Sequence, residues 1–400
     1  MNSLRSFRFM TRHSSRSGFT LTEVLIVVAI GVVLTSSGFL SLNSFRNRKD
    51  VEFSMLEVTA VVRETRERSV TQKDGFGWGI RFISTSTGDI YKVFQGSSYA
   101  NGTTTATHSF RRPVEFGEPA GNRIVDILFN PISGKVSTRK IITVSPKASR
   151  SYIGDIIVNT QGLVTQRMED GIVGYWHFDE ETSTSTYDAS SNDNTGTLTN
   201  GPTWQSGSSC KAGGCLYFDG DDDYISIPDD KSLRANTTDQ LSFSMWVKSD
   251  DYTNDQAFIA KRHTNNNSGH YLIQTQLSGK ILFAWYTGQS PAGSAYYRTN
   301  DVVLTAGQWH HIGISKVWSD SSPDFHIYVD GVEKSFTAVN PTRLASNYTG
   351  GYVPSSIGAA RRAEGYGGNY ALFKGFIDEV RMYNVALSSS TIKAHYDDLK

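Results

Sequence analysis

The residue with most chemistry to explain in this 400-residue chain is Glu23, which stands just ahead of the uncharged apolar run 24–34. A carboxylate inside an apolar helix is costly unless an opposite charge meets it, so its default meaning is functional. Cys210 and Cys215 enclose the loop Lys-Ala-Gly-Gly. Two thiols are too few for a disulfide framework or a four-thiolate zinc site. The spacing is not Cys-x-x-Cys, and outside the cytoplasm a disulfide is expected. His310 and His311 are adjacent, so a strand would send them to opposite faces, away from a shared metal. Asp378 alternates with Phe376 and Val380, which puts a carboxylate on an apolar face where it needs a partner. Asp179 ends the strand-like run opening at 172, and residues 188–194 form an oxygen-rich loop. Such oxygens suit a hard cation. The alternative is that Asp378 pairs with an arginine or a backbone N–H and that the loop residues are turn formers.

The elements that hold these residues differ in composition along the chain. Residues 1–18 carry four arginines and no acid; 19–170 hold 18 basic and 14 acidic residues; 171–400 hold 17 basic and 25 acidic. The whole chain sums to zero, 39 against 39, which gives no reason to expect nucleic acid as a partner. Six of seven Trp and sixteen of nineteen Tyr lie after residue 170. Residues 19–42, at a rise of ~1.5 Å each, are long enough to cross a bilayer core of ~30 Å. The basic leader should then stay in the cytoplasm. Helical periodicity continues to about residue 70, with Phe53, Leu56, Ala60 and Val61 read as the apolar face.

Gly18-Phe19-Thr20-Leu21-Thr22-Glu23 after a basic leader resembles type IV prepilins and the pseudopilins of type II secretion. The resemblance implies cleavage between Gly18 and Phe19 by a prepilin peptidase and N-methylation of Phe19. It also implies a docking role for Glu23 against the terminal amine of a neighbouring subunit. It places the precursor in a bacterial cytoplasmic membrane, single-pass with its N-terminus inside, and the processed subunit in an extracytoplasmic pilus or pseudopilus. Other pilin or pseudopilin subunits and the inner-membrane assembly machinery are the implied partners. After Gly75, strand-like runs at 77–83, 90–95, 124–130, 141–144 and 156–159 alternate with Gly-, Ser-, Thr- and Asn-rich turns. Residues 56–82 and 156–164 resemble H-type minor pseudopilins, implying an α+β pilin module of one long helix and a small antiparallel sheet.

From residue 171 the chain is strand-rich throughout, with alternation at 172–179, 241–247 and 325–329, the last ending in Asp330-Gly331, a hairpin signal. The series 174–180, 216–220, 243–247, 307–311, 328–331 and 375–383 resembles the laminin-G-like, concanavalin A-like jelly roll. That implies an all-β sandwich over 171–400, closed by a short helix capped by Ser388. Four segments follow: leader 1–18, helix 19–70, pilin-like β domain 71–170 and jelly roll 171–400. The resemblance adds a structural calcium, with Asp179 and Asp378 as its expected ligands. Related glucanases set their acids as Glu-x-Asp-x-x-Glu or Glu-x-Asp-x-Glu on one strand, flanking a glycosidic bond. No such run occurs in this sequence, so the expectation is no enzyme. A minor or tip pilin displaying the jelly roll to an extracellular glycan or protein ligand is expected instead. A minor pseudopilin engaging exported cargo is the alternative, and a tethered carbohydrate-active enzyme the third class. Trp176, Trp246 and Trp309 are expected in the core. Trp285, Tyr286, Tyr296, Tyr297, Trp318, Tyr348, Tyr352, Tyr366 and Tyr370 are expected at loops or strand ends, where rings could stack on sugars.

Overall fold

The computed structural model describes residues 21–72, 75–119, 123–147, 152–190, 192–234, 240–263, 268–276, 278–285, 295–317, 324–339, 353–360 and 370–400. Gly18 and Phe19 lie outside them. The chain divides into two compact units, 1–46 and 47–400. Helix α1, Leu21–Val70, is 50 residues long. In the first unit its described side chains, among them Leu21, Val24, Leu25 and Ile26, are exposed. Most side chains between 31 and 44 lie outside the described set. Among the described residues no helix is long and apolar enough to cross a membrane.

In the second unit, α1 buries Val51, Met55, Val58 and Val62. Their spacing of four, three and four residues lines one helix face. This corrects the face assigned from sequence: Phe53 is 45% and Leu56 50% exposed, and Ala60 is exposed too. Two apolar stripes share this helix, and periodicity alone does not say which one meets the sheets. The buried stripe packs with Trp78, Ile80, Phe82, Ile127, Val144 and Ile156 in a single core.

Two antiparallel four-stranded sheets supply that core, where one small sheet was expected. The first runs Thr103–Ser109, Ile90–Gln95, Trp78–Ile83, Ile124–Phe129, and the second Val114–Glu118, Lys140–Pro146, Tyr152–Val158, Val164–Asp170. Strands Thr103–Ser109 and Val114–Glu118 escaped the sequence reading. The former is a polar edge strand, TTTATHS, mostly exposed, without the apolar alternation that marks a half-buried strand.

Beyond Gly171, whose φ of 73° favours glycine, the described residues form a sandwich of a nine-stranded and an eight-stranded sheet. Their facing side chains build one core that includes Leu216, Phe218, Phe243, Met245, Ile273, Phe283, Ile327 and Ile377. The eight-stranded sheet is centred on Lys374–Tyr383, paired with Gly214–Asp219, Gln240–Ser249 and Ile172–Trp176. Asp330 and Gly331 both take positive φ, 54° and 73°, and form the two-residue turn that pairs Val329 with Val332. Helix α2, Ser389–Leu399, closes the chain, with the Ser388 hydroxyl accepting from the Thr391 N–H.

Strand Tyr152–Val158 is buried at every position. One of its faces meets the α1 core, and the other meets the sandwich. There Ile141 and Ile157 pack with Ala212, Trp246 and Leu399, and Ile153 packs with Ile172, Tyr175, Ala189 and Tyr383. The base built around α1 and the sandwich therefore share a buried interface with apolar contacts.

Candidate functional site

Glu23 lies in the first turn of α1, where a carboxylate is favoured by the helix dipole. The other sequence-selected residues, Asp179, Asp378, Cys210 and Cys215, gather at the interface between base and sandwich. Cys210 and Cys215 form a disulfide with Cα atoms 5.4 Å apart. The bridged loop turns two backbone N–H groups, from Lys211 and Ala212, onto Asp378 Oδ2 at 2.8 and 3.1 Å. The Gly214 N–H donates to Asp179 Oδ1. Burial, with Glu379 and Asp179 nearby, holds the Asp378 carboxyl well above the usual carboxylate range. Burial also raises Asp179.

These two carboxylates meet backbone N–H donors, the alternative to calcium that the sequence leaves open. Calcium takes ~6–8 oxygens, whereas Asp378 Oδ2 accepts from two loop N–H groups and Asp179 Oδ1 from one; Asp378 Oδ1 is buried without a hydrogen-bond partner among the described residues. Among the described residues, the only acidic group converging within ligand reach is Asp219, Asp222 and Asp223 in a turn. The melting temperature of the full chain should therefore not depend on Asp378 through calcium. EDTA should shift it equally in the native chain and in Asp378→Asn, and a chelation-induced drop confined to the native chain would restore the calcium reading.

Sequence reasoning missed the ionic network that surrounds these residues. Arg167, on the last strand of the base, contacts Glu169 at 2.5 Å, Asp155 at 3.0 Å and Asp398 of α2 at 2.5 Å. Arg381, 1% exposed on the central strand of the sandwich, meets Glu379 at 2.6 Å and the Tyr175 hydroxyl. It lies 4.0 Å from both Asp155 and Glu169 across the interface. Arg123 of the base bonds Glu118 at 3.0 Å and the Asp179 carbonyl, and reaches Glu180 at 3.7 Å. No local pattern announces such a network, since its members are scattered from 118 to 398.

His177 Nδ1 lies 2.9 Å from Glu379 Oε1, and its Nε2 3.2 Å from Thr143 Oγ1. The arrangement has the outline of a nucleophile–base–acid triad. Its chemistry is absent, however: the Thr143 hydroxyl donates to Asp155 at 2.7 Å, and all four side chains are buried at 1% exposure or less. Burial opposes the imidazolium, but Glu379 overcomes it and pushes His177 up to about 9. Burial likewise opposes the Glu379 charge, yet His177 and Arg381 pull its carboxyl down to about 2. Both ring nitrogens then act as donors, and the group is a buried ion pair across which base and sandwich are tied.

The sign of its pH dependence follows. The His177 contribution is fully present below its ordinary value of 6.5 and is lost as pH rises through about 9. The Glu379 contribution is present above 4.5 and lost as pH falls toward about 2. At ~1.4 kcal/mol per unit, the histidine accounts for roughly 3 kcal/mol between pH 6.5 and 9. Denaturation of the full chain at pH 6.5 and pH 9 should show this fall, and His177→Gln should flatten it; an unchanged slope in the variant would reject the assignment.

The aromatics divide differently from expectation. Trp285 and Tyr297 are core residues at 6% and 1% exposure. Tyr296 and Tyr370 are half-buried, and Tyr286, Trp318, Tyr348, Tyr352 and Tyr366 lie outside the described residues. Trp176 and Trp246 are buried. Trp309, expected in the core, is half-buried on the loop before strand His310–Val317.

Comparison with known families identifies two segments. Residues 13–39 match the prokaryotic N-terminal methylation motif, and residues 219–393 match the concanavalin A-like lectin/glucanases superfamily. The chain thus joins a prepilin-type N-terminus to a concanavalin A-like domain. Comparison with curated proteins gives no match. Among solved structures, domain 4 of an extracellular arabinanase from Geobacillus stearothermophilus, in complex with arabinotriose, is 22% identical with a TM-score of 0.40, covering 57% of this chain and 98% of that one. The binding domain of botulinum neurotoxin DC, in complex with rat synaptotagmin II, is 10% identical with a TM-score of 0.41, covering 57% and 52%. The receptor binding domain of botulinum neurotoxin type G is 12% identical with a TM-score of 0.39, covering 57% and 51%. The chain spans about half the length of these two neurotoxin chains.

Proposed function

We propose that this protein is a minor subunit of a type IV pilus-type filament, anchored and assembled through its N-terminal helix, that displays a ligand-binding jelly roll. The observation that carries the reading is the methylation motif at 13–39, which overlaps the start of a 50-residue helix, Leu21–Val70. In its second half that helix keeps Phe53 and Leu56 exposed while its opposite face is buried. Within the monomer the Phe53 ring meets the Arg112 guanidinium at 4.6 Å yet stays, with Leu56, about half exposed, whereas packing against neighbouring subunits removes that area from water. In this reading residues 19–42 cross the cytoplasmic membrane, a prepilin peptidase cuts between Gly18 and Phe19, and Glu23 offsets the terminal amine of a neighbouring subunit. The minor position is favoured by bulk, since a sandwich of ~230 residues on every subunit would crowd a filament.

The reading is non-enzymatic. Its support is the lack of a paired-acid strand motif and the burial of the triad-like group around His177; polysaccharide turnover by the chain would overturn it. The assembly reading is tested with Glu23→Ala, expected to be cleaved normally yet to leave the sheared filament fraction. Incorporation at native level would refute it.

A further inference from the structure

The eight-stranded sheet has an outer face that the base covers only in part. Trp246 and the disulfide loop lie under the base. Along the neighbouring rungs of the same sheet, Tyr217 pairs with Phe376, and Phe376 with Lys248. Leu216, Phe218 and Ile377 point into the sandwich core, so Tyr217 and Phe376 point outward. Both are half-buried, as is Trp309 beside them. Ring centroids are 4.9 Å apart for Tyr217–Phe376 and 6.2 Å for Trp309–Phe376. The outer two rings are held in place by hydrogen bonds. Trp309 Nε1 donates to the Ser209 carbonyl at 3.2 Å, and the Tyr217 hydroxyl donates to Asp250 Oδ2 at 3.0 Å. The Lys248 ammonium sits 4.9 Å from the Phe376 ring centroid.

We propose that this row, Tyr217–Phe376–Trp309 with Lys248 and Asp250 at its margin, is a binding platform for a neutral glycan. The inference rests on the reading of the jelly roll as a ligand-binding domain and supplies the site and the ligand class. A pyranose ring presents an apolar face that stacks on a single aromatic ring, with the neighbouring rings, inclined 63° and 55° to Phe376, as walls beside it, and an equatorial rim of hydroxyls that bond an ammonium and a carboxylate. Rings fixed before binding keep the ordering cost low. An apolar protein partner would desolvate the Lys248 ammonium and the Asp250 carboxylate, which one hydroxyl from Tyr217 does not compensate. The acidic excess of residues 171–400, 25 acids against 17 bases, disfavours an anionic polysaccharide.

The test uses the full chain in a non-glycosidic detergent, probed with xylan, mixed-linkage glucan, linear arabinan and galactan as neutral polymers and with alginate as the anionic one. Affinity electrophoresis and quenching of tryptophan fluorescence report binding. The native chain should bind at least one neutral polymer. Tyr217→Ala and Phe376→Ala should each weaken that binding by about tenfold or more, while melting temperatures confirm that the variants are folded. Neutral-polymer binding that both variants retain would overturn the platform and leave the ligand-binding reading standing. Binding to alginate alone would overturn the neutral class. No binding to any of the five would overturn the platform together with the reading it rests on.

Discussion

Arg381→Met is expected to cost the folded 47–400 unit roughly 3–5 kcal/mol, the range found when one partner of a buried ion pair is removed. The arginine is 1% exposed, bonds Glu379 at 2.6 Å, and stands 4.0 Å from Asp155 and Glu169 of the base. Its guanidinium also lies 4.1 Å from the Tyr175 ring centroid. Methionine keeps most of the apolar volume but leaves the Glu379 carboxylate with His177 and the Tyr175 hydroxyl and no guanidinium, at a buried interface. Urea denaturation of the full chain measures the loss. Glu379→Gln in the same background should recover part of it, because the two residues interact directly. A change below ~1 kcal/mol would mean that water or other groups already shield the site. Because the network ties base strands to the central strand of the sandwich, the variant should also separate unfolding into two transitions where the native chain shows one.

The second large effect concerns assembly rather than folding. Leu56→Asp places a charge on the exposed stripe of α1, where Leu56 is 50% exposed. Monomer stability should change by no more than ~0.5 kcal/mol, as for other surface positions. Incorporation into filaments should nevertheless fail, because a carboxylate buried against a neighbouring helix is costly. Met55→Asp, one residue earlier and 2% exposed, should behave oppositely and prevent folding of the base. If Leu56→Asp assembles like the native subunit, that stripe faces solvent in the filament and the proposed packing is wrong. The pair of variants separates a folding defect from an assembly defect within a single helical turn.

Much of the architecture was legible from local pattern. Alternation at 241–247 and 325–329 lies within strands Gln240–Ser249 and Asp324–Val329, and Asp330-Gly331 forms the expected turn. The polar strand Thr103–Ser109 was not legible, since pairing with Ile90–Gln95, rather than an apolar face, holds it in place. Trp309 was misplaced because its neighbours His310 and His311 begin a strand that the tryptophan itself does not enter.

Among the site residues the division has one physical cause. Glu23, the basic leader and the Gly18-Phe19 pair announce themselves because their meaning lies in immediate neighbours: a charge beside an apolar run is unusual on its own. The enclosure of Cys210 and Cys215 in a short loop is equally local. Burial is not local. Which stripe of α1 meets the sheets depends on strands up to a hundred residues away, such as Ile156 against Met55. That Asp378 is capped by loop N–H groups 166 and 167 residues earlier is likewise a product of the fold. The sequence by itself determined a prepilin-type N-terminus with a glutamate beside an apolar run and an acidic, aromatic-rich β domain. Only the tertiary structure decided which carboxylates are neutralised, by whom, and which apolar faces remain for a partner, because desolvation is set by everything that packs around a group rather than by its place in the chain.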